Sequence, residues 1–135
     1  MILEKIYNSL DALSEQHGIH KIETIDNTFI ACSGINILER EMDDRLISNH
    51  HCVRVTDFAF KVSEYANTVQ LRSGRRLKVK IAMHLGEVFG GVIGEIKPHF
   101  TIIGGTLQKT RALIEAQHPI NKKIIISEQV KLALE

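Results

Sequence analysis

Two short β-prone runs, Ile19 to Ile25 and Thr28 to Ser33, flank the pair Asp26-Asn27, and this limits the chain's possible folds more than any other feature. Both turn residues tolerate positive φ, so the two runs are expected to pair as a tight antiparallel hairpin. A hairpin alone is marginal in water and needs a helix or further strands on its apolar face. The sequence supplies the helix just upstream. Ile2, Ile6, Leu10 and Leu13 recur at helical spacing, and Gly18 stands where a C-terminal cap belongs.

The same alternation continues downstream. Asn36 to Arg45 is polar and charged and reads as a loop. A second helical pattern runs from about Ser48 to Leu71, with Val55, Phe58, Ala59, Val62, Tyr65, Ala66 and Val69 on one side. Ser73-Gly74-Arg75-Arg76 ends it as a turn. Strands are expected over Leu77 to His84 and Glu87 to Ile93, joined tightly at Leu85-Gly86, and again over Phe100 to Ile103. Thr106 is the expected N-cap of a helix running to about Gln117. A strand at Lys123 to Ile126 and a helix begun at Ser127 close the chain. Interleaved hairpins and helices indicate an α+β sandwich, one mostly antiparallel sheet covered by helices on one face.

At 135 residues this reads as a single domain, 1–135, large enough to bury a core without disulfides or metals. Seventeen basic residues against sixteen acidic ones give a net charge of +1, which offers no electrostatic reason to expect nucleic acid or an anionic membrane as partner. Cys32 and Cys52 are far apart with no metal-ligand spacing, so free thiols in a reducing cytosolic setting are expected. No apolar run reaches the roughly 20 residues of a membrane span, and the first residues lack a signal-peptide pattern. The expected location is the cytoplasm, or the cytosolic face of a membrane-tethered parent protein.

Three stretches carry chemistry. Lys21-Ile22-Glu23-Thr24-Ile25-Asp26-Asn27-Thr28-Phe29-Ile30-Ala31 resembles the K-[IV]-E-T-I-G-D-x-[YF]-M-x hairpin of class III adenylyl and guanylyl cyclases. His84 to Gly94 is similar to that family's H-x-G-x-V-x-x-G-x-x-G segment, and Phe100 to Gln108 to its Y-x-[LI]-x-G-D-T-V-N segment. The three occur in family order and spacing, and the resemblance covers essentially the whole chain. It implies the ferredoxin-like cyclase fold and a dimer with its active site in the interface. There, two carboxylates of one subunit hold two divalent ions on a nucleoside triphosphate, while an asparagine and an arginine of the other orient the ribose and stabilise pyrophosphate charge. Paired metals suit attack of the ribose 3′-oxygen on the α-phosphorus because they stabilise attacking and leaving oxygens together.

Carried over position by position, the resemblance implies a degenerate site of guanylyl type. The second metal aspartate falls at Asn27, whose amide lacks the negative charge that hard cations favour. The strand bearing the first metal aspartate, which in the family precedes the helix begun here at Ile2, has no counterpart in this sequence. Glu23 falls at the purine-selecting position, where glutamate can accept from guanine N1 and N2, and Thr101 is its companion. The ribose-orienting asparagine aligns with Gln108 and the arginine with Ala112, on one helix face by i, i+4 spacing. Arg111 next door is turned by about 100°. Loss of such an arginine can cost roughly 10³-fold or more in phosphoryl transfer.

The expected function is therefore a catalytically degenerate cyclase domain acting as a dimerising regulatory or structural module. Its expected partner is a second cyclase-type domain, in a hetero- or homodimer. GTP is a candidate ligand, and no nucleic acid or direct membrane insertion is expected. No cofactor of its own is expected, Mg²⁺ or Mn²⁺ entering only where a partner supplies carboxylates. Two rivals stand beside this reading: a weak guanylyl cyclase subunit in a heterodimer, and a nucleotide sensor that binds without cleaving. Paired with an intact domain, both interfacial sites would be impaired, one receiving Gln108 and Ala112 and the other lacking carboxylates from this chain.

Other residues have plainer readings. Glu23 could be an ordinary strand charge, and His84 a hydrogen-bonded strand residue. His50-His51 reads as surface or packing, since adjacent helix positions do not share a face. Gly86, Gly90, Gly91 and Gly94 read as hairpin-shaping, and Lys21, Arg75, Arg76 and Lys80 as a solvated strand edge. Gly104-Gly105 ahead of a helix is the better candidate for a residual phosphate site, because free N–H groups point outward there.

Overall fold

Ile6, Leu10 and Ser14 lie buried at four-residue intervals along α1 (Ile2–His17), the stripe expected of an amphipathic helix. The computed structural model describes residues 2–25, 27–35, 50–95, 99–115 and 124–134. The helix stops in a Schellman turn: Gly18 takes φ 69°, its N–H donates to Glu15 C=O, and Ile19 N–H donates to Ser14 C=O. Ile19, buried, then leads directly into the hairpin.

β1 (His20–Ile25) and β2 (Thr28–Cys32) pair antiparallel, and Ile25 opposite Thr28 leaves a two-residue connection, as the turn chemistry predicts. Asp26 lies outside the described residues, as does the loop expected at Asn36 to Arg45. The hairpin packs on the helices through tilted rings. Phe29 stands 6.2 Å from Tyr7 of α1 and 6.5 Å from Phe58 of α2 (His51–Thr68).

α2 is shorter than its apolar pattern predicts. It ends at Thr68, because Val69 turns extended and its neighbours join a small ladder instead. Gly74, at φ 83°, makes the tight turn that lets Leu71 N–H reach Arg75 C=O and Leu77 N–H reach Val69 C=O, with Gln70 bridged to Arg76. At the other end His50 caps the helix, accepting from Cys52 N–H through Nδ1. Arg54 is buried on this helix at 5% exposure, and its guanidinium donates to Gly18 C=O at 3.0 Å, fastening α2 to the end of α1.

The second half corrects the sequence reading in three places. β3 (Ile81–Met83) and β4 (Phe89–Ile93) do not form the expected hairpin with each other among the described residues. β3 pairs in parallel with β6 (Ile124–Ile126), and β4 pairs antiparallel with β5 (His99–Ile103). The connecting segment is drawn elsewhere: Leu85 packs on the core, and Glu87 C=O accepts from Thr106 Oγ1 at 2.6 Å. That bond is also why Thr106 is not the N-cap. It lies inside α3 (Gly105–Glu115), its hydroxyl committed as a donor to the β3–β4 connection. Third, the strands described form three two-stranded ladders rather than one continuous sheet, with β1 lying beside β5.

Ser127 does open the closing helix α4 (Glu128–Leu134), its Oγ accepting from Val130 N–H. Ala59 of α2, Met83 of β3 and Val130 of α4 form the innermost cluster, with Val55, Ile81, Leu85 and Ile124 around it. The α+β class and the element order thus hold, helices packed against short strands. Cys32 and Cys52 are free thiols, and among the described residues no helix is long and apolar enough to cross a membrane.

Candidate functional site

A bulge decides where Glu23 points. Lys21 pairs with Ala31 but Glu23 with Ile30, so β1 carries one extra residue between them and its alternation shifts by one. Directly opposed residues project to the same side of a ladder. Glu23 therefore shares the side of Ile30, while Lys21 shares the side of Ala31 and reaches Asp11 at 3.4 Å. Phe29, opposite Thr24, packs on the helices, so Glu23 stands half-buried on the side of the ladder turned away from Phe29.

Because β1 lies beside β5, the strands carrying Glu23 and Thr101 are neighbours, with Thr101 opposite Gly91 in the β4–β5 ladder. Asn27 is exposed at the tip of the β1–β2 hairpin. Gln108, Arg111 and Ala112 are all exposed on α3. Gly104 bends the chain into α3 at φ 140°, which a side chain would strain, and Gly105 opens the helix with nothing near the position of a Cβ. Gly86 backs so closely on α3 that a Cβ there would meet Thr106 Oγ1 at 2.6 Å.

Ala112 also borders a groove of ≈ 340 Å³ between α3 and the start of α4, lined by His84, Lys109, Leu113, Ser127 and Gln129. His84 departs from its sequence reading here. It follows β3 rather than lying within it, and its Nδ1 is buried with no hydrogen-bond partner among the described residues. Burial, and secondarily the charge of Lys109, hold its pKa below the ordinary histidine value. The exposed Arg75, Arg76 and Lys80 are solvated as expected, Arg76 donating to Asn67 C=O.

His50 and His51 are the second departure. The rule that adjacent helix positions diverge does not govern them, because His50 is the cap, with φ −58° and ψ 143°. Its extended backbone brings its ring over that of His51, centroids 4.1 Å apart. Cys52 Sγ lies 3.7 Å from His51 Nδ1, and burial raises the thiol pKa.

The family model for the adenylate and guanylate cyclase catalytic domain matches residues 1–135. The chain belongs to that family. It is 36% identical over 107 residues to the germination-specific adenylate cyclase of Dictyostelium discoideum, a match covering 78% of this chain and 12% of that protein. With the soluble guanylate cyclase subunit alpha-1 of Rattus norvegicus it shares 29% over 106 residues, 78% of this chain and 14% of that protein. The cyclase domain thus spans a small part of these relatives.

Among solved structures, the guanylate cyclase domain of RhGC from Catenaria anguillulae, in complex with GTP, superposes with a TM-score of 0.76 at 22% identity, over 98% of this chain and 67% of that one. A dimeric guanylyl cyclase domain of the RhoGC fusion protein from Blastocladiella emersonii gives 0.76 at 22%, over 96% and 66%. These likenesses establish the cyclase fold.

Proposed function

We propose that this cyclase domain is catalytically degenerate and serves as a dimerising regulatory or structural module for a second cyclase-type domain. The observation that carries the reading is the pairing of Asn27 at the hairpin tip with Ala112 on the exposed face of α3. An amide at Asn27 gives a neutral oxygen where Mg²⁺ or Mn²⁺ favours a carboxylate. This donor does not fit the family's paired ions. Ala112 offers no cation to a leaving pyrophosphate, and Arg111 points about 100° away around the helix. Gln108, one methylene longer than asparagine, would hold a ribose differently.

What supports a surviving assembly role is the fold: the hairpin, the β4–β5 ladder and α3 lie within a chain that superposes over 98% of its length on 67% of a guanylate cyclase domain. The test is to mix the purified chain with an intact cyclase domain, follow association by sedimentation, and follow the partner's turnover. Association with altered partner turnover supports the module. No association with any cyclase domain, itself included, contradicts it.

Glu23 favours a second reading. Half-buried on β1 beside the strand of Thr101, it is the residue type that would accept from guanine. On that reading the chain is a weak guanylyl cyclase subunit whose partner supplies the carboxylates and the Mg²⁺ or Mn²⁺. Cyclic GMP formed by the heterodimer, and lost when Glu23→Ala is introduced in this chain, would select it.

A further inference from the structure

We propose that His50, His51 and Cys52 form a binding site for one borderline or soft divalent ion, of the Zn²⁺ class, at the start of α2. Each side chain offers a ligand atom, and the three atoms lie within 4.8 Å of one another. A tetrahedral zinc with Zn–S of about 2.3 Å and Zn–N of about 2.0–2.1 Å has N···S edges of about 3.6 Å. The Sγ to His51 Nδ1 separation, 3.7 Å, is already that edge. His50 then has to close by about an ångström, exchanging its hold on Cys52 N–H for the ion. It is exposed, and its cap on Cys52 N–H and its stacking on His51 are what the move gives up.

His51 is held in place by its surroundings. Ser33 Oγ donates to His51 C=O at 3.0 Å, and Gly34, at φ 81°, backs onto the ring so closely that a Cβ would meet Cγ at 2.8 Å. The thiol proton leaves as the ion enters, converting Cys52 to the thiolate, so binding one ion releases one proton. Two imidazoles and a thiolate suit zinc or cobalt and are poor donors for Mg²⁺. The site lies at the start of α2, on a different element from Asn27.

Cobalt(II) is the probe. Titrated into the reduced chain, it should bind one ion per chain with a thiolate-to-cobalt charge-transfer band in the near ultraviolet, and Zn²⁺ should bleach that band. Cys52→Ser should abolish the band, Cys32→Ser should leave it, and His51→Asn should weaken binding roughly tenfold or more. The absence of the band, its survival in Cys52→Ser, or its loss in Cys32→Ser would each overturn the proposal. Should Cys52→Ser fail to fold, the exposed His50→Ala decides instead: binding weakened about tenfold supports the site, and unchanged binding removes it.

Discussion

At Gly86 the missing side chain is a packing requirement, since a Cβ would sit 2.6 Å from Thr106 Oγ1, a hydroxyl already bonded to Glu87 C=O. Gly86→Ala should therefore lower stability by about 1–3 kcal/mol in urea unfolding. Combining it with Thr106→Ala should cost less than the sum of the two single changes, because the clashing oxygen is gone. His84 sets a pH dependence. Its depressed pKa means the unfolded chain takes up a proton more readily than the folded one. Its stabilising contribution is present above the ordinary histidine value of about 6.5 and is lost as pH falls through the lower folded value. His84→Asn should flatten that limb of a melting-temperature profile between neutral and mildly acidic pH, and an unchanged slope would show that the acid sensitivity arises elsewhere. Neither feature was legible in the sequence. The closeness of Gly86 to Thr106 and the burial of His84 Nδ1 both arise where the β3–β4 connection meets α3, and no local pattern reports such a meeting.

Among the elements, α1 and the β1–β2 hairpin followed directly from local chemistry. A helical apolar stripe, a glycine at the cap and a two-residue turn each act within a few positions; the cap and the turn hold, and the buried face keeps Ile6 and Leu10 but passes through Ser14 rather than Leu13. The later strands fall in roughly the expected stretches, but the hairpin expected between β3 and β4 does not form among the described residues. Local sequence says where a strand is possible, whereas the pairing of β3 with β6 spans some forty residues and is decided by the cluster of Ala59, Met83 and Val130. Arg54 belongs to this scale as well. Buried and bonded to Gly18 C=O, it joins two helices across a distance no periodicity reveals. Arg54→Met keeps the apolar stem but leaves that carbonyl without its donor, and should cost about 1–3 kcal/mol, read as a fall in the urea midpoint with little change in slope.

For the whole molecule, three motifs in family order were enough to place the chain among the cyclases, and the fold agrees. The candidate site is less uniform: a bulge turns Glu23 to the side away from Phe29, and β5 beside β1 brings the strand of Thr101 next to it, while Asn27, Gln108 and Ala112 stand exposed on separate elements. The proposed degeneracy lies in side-chain chemistry at Asn27, Gln108 and Ala112. Repair should then be separable: Ala112→Arg should raise turnover at the site that uses an intact partner's carboxylates, and Asn27→Asp, which acts at the other site, should not be needed for that gain. The most direct measurement is of product itself. GTP or ATP is incubated with the purified chain in Mg²⁺ and in Mn²⁺, and cyclic nucleotide is quantified by mass spectrometry. The account predicts none above the protein-free control, and cyclic GMP that vanishes on Glu23→Ala would contradict it.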